Sequence, residues 1–274
     1  MSEPTIVERL LLQHRAIVLL ALISVITGSW IYLLMGAGTG MSTIGMTSWR
    51  MALGISEPMT MVVAWTPQYA WVMFIMWWVM MIAMMLPSAA PMILLHAKVD
   101  RKANVNTGNH AGLLKTSAFV FGYLLAWAVF SAMATTLQWT FETARFTSSA
   151  MMNSTNDLFA GTILLFAGAY QLTPIKQACL RHCRGPVHFL VHNSRDGNWG
   201  ALIMGLHHGL YCLGCCWGLM AILFFGGIMN LYWIIGLALL ILLEKILPIG
   251  VRVSYVTGGI FAVWGASFIF SAVT

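Results

Sequence analysis

The chain has 274 residues, 59 % of them hydrophobic and only 8 % charged, and a net charge of +6. A soluble domain carries roughly 25 % charged residues, so this composition excludes a soluble globular enzyme, a disordered protein and a nucleic-acid-binding domain. It fits an all-α, polytopic transmembrane helical bundle, in which the positive balance reads as basic anchors in cytoplasmic loops.

Seven stretches have the length and apolarity of spans: 16–36, 69–95, 114–139, 158–173, 200–225, 231–247 and 254–272. No small-residue cleavage site follows the first, so it reads as a retained span and not a detachable leader. The fourth is the shortest and stops at Pro174; Ile175 to Arg184 then reads as a basic helix lying at the interface. With the N-terminus inside, twelve Lys and Arg fall on inner segments and only Arg50 and Arg145 on outer ones. That asymmetry predicts a cytoplasmic N-terminus and an outer C-terminus. An even number of spans would leave it unexplained. Nothing divides the chain, so residues 1–274 read as one membrane domain.

The outer loop between the first two spans holds Met41, Met46, Met51, Met59 and Met61. The second span adds Met73, Met76, Met80, Met81, Met84, Met85 and Met92. Met73, Met76, Met80 and Met84 share a helix face. Such a stripe serves as flexible core filling or as a run of soft thioether ligands. Pro87 and Pro91 are expected to kink this helix near its inner end.

The inner segment after the fourth span carries Cys179 and Cys183, four apart and so on one helix face, with His182 between them. The fifth span carries the densest constellation, His207-His208-Gly-Leu-Tyr-Cys212-Leu-Gly-Cys215-Cys216. Met204, His208, Cys212 and Cys215 form one stripe, with Cys216 at its edge and Met220 nearby. Thioether, imidazole and thiolate are the ligands of soft metals, Cu(I) first, then zinc and iron–sulfur clusters. Imidazole inside a span is costly unless it faces the bundle interior with a partner. Glycines 205, 209, 214 and 218 leave room for a neighbouring helix. By helical rise Cys212 lies about 18 Å deeper than Gly200, so unless the inner segment dips into the membrane the two cysteine groups read as separate sites along one route. Glu244-Lys245 ends the sixth span, either as an interfacial ion pair or as a carboxylate serving a metal or proton path. Tyr170-Gln171 could line the same cavity.

Phosphate-loop and dinucleotide fingerprints are absent, as is the Cys-x-x-Cys-His haem attachment signal. Between residues 70 and 250 the chain resembles a bacterial family of unknown function described as predicted metal-binding integral membrane proteins. The resemblance rests on Trp78-Val-Met-Met-Ile-Ala-Met-Met-Leu-Pro87, Ala167-Gly-Ala-Tyr-Gln171, Lys176-x2-Ala-Cys179-Leu-x2-Cys183-Arg, Gly209-x-Tyr-Cys212-Leu-Gly-Cys215-Cys216-Trp217 and Glu244-Lys245-x2-Pro248. It implies a metal and a bacterial inner membrane, without a reaction or a metal identity.

The leading reading is a protein that binds or conducts Cu(I) through the bundle and serves a partner metalloprotein or metallochaperone. Its candidate ligands are Cys212, Cys215, Cys216, His208 and His207, with Met204, Met220, Met80, Met84 and Glu244 in support. Cys179 and Cys183 would serve the inner side, and Met41, Met46 and Met51 the outer. Methionine suits the oxidising side because a thioether forms no disulfide; cysteine suits the reducing side. The alternatives are a quinone-linked thiol–disulfide oxidoreductase using Cys212 and Cys215, or a structural subunit of a membrane complex in which the sulfurs only pack.

Overall fold

The computed structural model describes residues 6–40, 42–55, 64–103, 109–149 and 152–274. Met41, Met59 and Met61 lie outside the described residues. The fold is all-helical; among the described residues the only β-type pairing is an isolated bridge between Thr147 and Ser154.

Eleven helices follow in order: α1 (Ile6–Leu34), α2 (Trp49–Ala52), α3 (Pro67–Ala103), α4 (Asn109–Thr143), α5 (Asp157–Gln171), α6 (Pro174–Arg184), α7 (Pro186–Asn193), α8 (Gly197–Met220), α9 (Leu223–Gly226), α10 (Leu231–Ile246) and α11 (Gly250–Val273). Their starts carry local signals. Asn156 accepts from the N–H groups of Leu158 and Phe159 ahead of α5, and Asn230 from Tyr232 ahead of α10. Thr173 caps α6 by accepting from the Lys176 N–H, with Pro174 in the first helical position, where its missing N–H costs nothing.

Within these helices Arg15–Leu34, Pro67–Asp100, Gly112–Thr143, Gly197–Gly226 and Gly250–Val273 are each long and apolar enough to cross a membrane. α5 reaches that length only together with α6, across a 62° bend. α10 has 16 residues, about 24 Å at the usual rise, short of a hydrocarbon core of about 30 Å. The seven expected spans thus correspond to five full-length helices, a bent pair and a short one. α3 stays one helical element through Pro87 and Pro91.

The layers are α1 on α3, α3 on α4, α4 on α8, and α5 on α11, with α6 laid along α8. Small residues set the closest crossings. A methyl at Gly205 would come within 1.9 Å of the Phe119 carbonyl oxygen, so α4 and α8 touch backbone to backbone. Gly161 and Gly168 face Gly265 and Gly258 in the same way between α5 and α11. The core between α3, α4 and α8 contains Met73, Met76, Trp77, Met80, Met84, Met85, Phe119, Tyr123 and Trp127, all buried.

The helix expected at the interface, α6, has one face against α8 and leaves Ile175 and Arg181 exposed on another. α6 packs along α8, burying Lys176, Gln177 and Leu180. The bend after Gln171 turns the chain, and Arg184 pins the far end by donating to the Leu247 and Pro248 carbonyls at 2.6 and 2.9 Å.

Candidate metal centre

α8 supplies the centre of the site. Cys212, Cys215 and Cys216 are buried on its inward faces. The Cys215 and Cys216 thiols both donate to the Cys212 carbonyl, at 3.0 and 2.9 Å. This back-bonding draws both sulfurs toward the preceding turn, beside Cys212. The Cys212 sulfur instead meets two side chains from other helices. Lys245 Nζ of α10 donates to it at 2.9 Å, and the Tyr123 hydroxyl of α4 lies 3.1 Å away. Tyr123 also reaches the Met85 carbonyl at 3.2 Å, and Lys245 reaches Ser88 Oγ at 2.9 Å. Four helices are therefore tied together around one cysteine.

The cysteines of α6 join this group. Cys183 Sγ lies 3.9 Å from Cys215 Sγ. A methyl at Gly214 would meet Cys179 Sγ at 2.8 Å, so that glycine is what lets α6 approach. The two cysteine groups are not separate sites. The separation expected from helical rise assumed that the segment after Gln171 stays at the membrane edge; instead α5 already ends beside Gly214 and Gly218, and α6 runs on along α8 past Tyr211 through the 62° bend. Met85 of α3 completes the sulfur set, its Sδ 3.8 Å from Cys216 Sγ.

All five cysteines are free. Among the described residues no three His, Cys, Asp or Glu side chains close into a cage. The sulfurs meet in pairs, Cys183 with Cys215 and Cys216 with Met85. With metal–thiolate bonds of about 2.3 Å, two sulfurs on one ion lie about 3.8–4.6 Å apart from tetrahedral to linear geometry. Both pairs fall in that window, and their donors are the soft kind.

The other expected residues divide. His208 is buried one turn before Cys212, its ring among Phe119, Tyr123 and Phe189, and its Nδ1 has no hydrogen-bond partner. His207 is half-buried, and His182 stacks on Tyr211 at 4.3 Å rather than joining the sulfurs. Met204 and Met220 are buried on α8, and Met80 and Met84 on α3. Met46 and Met51, expected to serve the outer side, are buried.

Glu244 does not face the sulfurs. It forms a fully buried ion pair with Lys176 at 2.7 Å and accepts from Gln171 Nε2 at 2.8 Å. Tyr170 points the other way and donates to the Gly214 carbonyl. Nothing in the sequence pointed to Tyr123, Ser88 or His96, and it offered Lys245 only as the partner of Glu244 at the end of a span. Lys245 was visible as a basic residue beside a span end, but its direction was not. His96 is buried against Phe119, 4.7 Å between ring centroids, again with Nδ1 unpartnered.

Residues 74–268 match the model of a family described as copper chaperone (PpoB2). No curated protein and no solved structure matches the chain.

Proposed function

The chain belongs to the copper chaperone family, and from that premise we propose that it is a bacterial inner-membrane carrier that holds Cu(I) on sulfur inside its helix bundle and passes it to a partner metalloprotein. The observation that carries this reading is the 3.9 Å approach of Cys183 to Cys215. These residues are on different helices, and their approach presents two thiols at the spacing of shared ligands. Cys212, Cys216 and Met85 lie around them as further donors, with His208 one turn away.

Soft sulfur donors favour Cu(I) over zinc or iron. Binding releases the thiol protons of Cys183 and Cys215. A bis-thiolate Cu(I) unit carries one negative charge, and a buried charge needs a partner. Lys245, beside Cys212, supplies the opposite charge in the same core.

The proposed disposition is N-terminus inside and C-terminus outside. Lys176 and Lys245 are drawn into buried contacts and no longer count as loop anchors; the remaining basic residues still divide ten to two in favour of the inside. Met85 lies about 27 Å along α3 from Pro67, and Cys212 about 18 Å along α8 from Gly200, so in this disposition the sulfur cluster sits deep in the bundle, away from both surfaces.

The test is elemental analysis of the purified chain after anaerobic loading with Cu(I). The expected result is about one tightly held copper per chain, lost in Cys183→Ser and in Cys215→Ser. No retained copper, or retention unaffected by both substitutions, contradicts the reading. A reducible Cys183–Cys215 disulfide with quinone-dependent turnover would favour thiol–disulfide exchange instead.

A further inference from the structure

At the opposite end of α3 and α4 from the cysteines lies a second buried polar group. Glu142, in the last turn of α4, is 7 % exposed. Both its carboxylate oxygens accept: Oε1 from Gln138 Nε2 at 2.9 Å, and Oε2 from Trp65 Nε1 at 2.9 Å. Trp77 Nε1 donates to Gln138 Oε1 at 2.8 Å, which fixes the amide so that its NH2 faces Glu142. Among the described residues no Lys, Arg or His forms an ion pair with this carboxylate. A buried acid without a counter-cation is costly to ionise and otherwise takes up a proton; the N–H donors on both oxygens favour the charged form, and an arriving cation stabilises it further.

The same glutamine amide reaches a thioether: Gln138 Nε2 lies 3.5 Å from Met73 Sδ. Met73 is the first rung of the α3 methionine face, followed by Met76, Met80 and Met84. All four are at most 1 % exposed, so they face protein and not lipid. The neighbouring Met85 is the residue whose sulfur touches Cys216. Rungs three or four residues apart are about 5–6 Å apart, and the whole face from Met73 to Met85 rises about 18 Å. Leucine would fill such a core more rigidly; methionine adds a soft donor at every turn.

We propose that Glu142, positioned by Gln138 and Trp65, is the admission site for Cu(I), and that the Met73–Met76–Met80–Met84 face conducts the ion from it to the cysteines. This rests on the copper-carrier reading and adds the route to it. The carboxylate attracts the cation, and the thioethers then hold it weakly at successive steps without deprotonation. Trp65 also lines a surface groove of about 330 Å³ with Thr66, Pro67, Ala70, Thr135 and Trp139, which puts the indole between the outside and Glu142.

The experiment is stopped-flow loading of the full chain in lipid nanodiscs with Cu(I), read by the ultraviolet Cu(I)–thiolate charge-transfer band. Glu142→Gln should slow the appearance of the band by about tenfold or more, the size of effect a focused charge has on capture, while its final amplitude stays that of wild type. The double variant Met76→Leu/Met80→Leu, which leaves Met73, Gln138 and Glu142 unchanged, should slow it as well. Wild-type rates in Glu142→Gln overturn the proposal. If that variant does not fold, wild-type rates in the methionine double variant overturn it. If wild type itself develops no band, the carrier reading has failed and the route falls with it, a result distinct from normal loading with unchanged variant rates.

Discussion

Lys245 donates to Cys212 Sγ across 2.9 Å, in a core where both side chains are buried. Its sequence neighbour Glu244 turns to Lys176 instead, so the lysine depends on the cysteine and on Ser88 for polar company. In the proposed site, replacing it would leave an anionic copper–thiolate unit without its opposing charge. Lys245→Met should weaken Cu(I) binding by about 10–100-fold, equivalent to about 1.4–2.8 kcal/mol, and Lys245→Arg less. Competition against a calibrated Cu(I) chelator measures this; unchanged affinity in Lys245→Met removes the role.

The Lys176–Glu244 pair makes the opposite prediction. It holds the bend between α5 and α6 against α10, away from the sulfurs. Either Lys176→Met or Glu244→Gln alone leaves one buried charge unpaired and should cost about 3–5 kcal/mol of stability. The double variant should recover most of that loss, with copper stoichiometry unchanged. Thermal unfolding in detergent checks the first part and metal content the second. Loss of copper in a folded double variant would return Glu244 to the ligand set.

Helix contact can be tested at glycine. Gly205→Ala drives a methyl into the Phe119 carbonyl, and backbone cannot step aside as a side chain can. It should destabilise by about 1–3 kcal/mol or more. Gly236→Ala meets nothing within 4 Å in α10 and should be neutral or stabilise by about 0.4–1 kcal/mol. Unfolding midpoints of the two variants decide it; equal behaviour contradicts the close α4–α8 crossing.

The proposed disposition places Thr274 outside. A reporter enzyme that is active only outside the cytoplasm should be active when fused after Thr274 and inactive when fused to the N-terminus. Activity in the reverse pattern, or from both fusions, contradicts an odd number of crossings with the N-terminus inside.

Much of the fold was legible in the sequence, because apolar runs of helical length have few other solutions. The α8 stripe was legible too: Cys212 and Cys215 fall on one face by spacing alone, and both are buried together. What spacing does not carry is direction between helices. Cys183 and Cys215 are 32 residues apart and meet only because Thr173-Pro174 bends the chain and Gly214 admits α6. Lys245 read as an interfacial charge, since nothing in a linear sequence says which way a lysine at a helix end will point. Glu142 escaped notice because the third span was expected to end at residue 139, whereas α4 continues to Thr143.

X-ray absorption at the copper edge of the Cu(I)-loaded chain, compared with the same spectrum of Cys183→Ser/Cys215→Ser, tests the central claim most directly. The account predicts a first shell dominated by sulfur at about 2.3 Å, the usual metal–thiolate length, and its loss in the double variant. A shell of nitrogen or oxygen alone, or a sulfur shell that survives both substitutions, would contradict it.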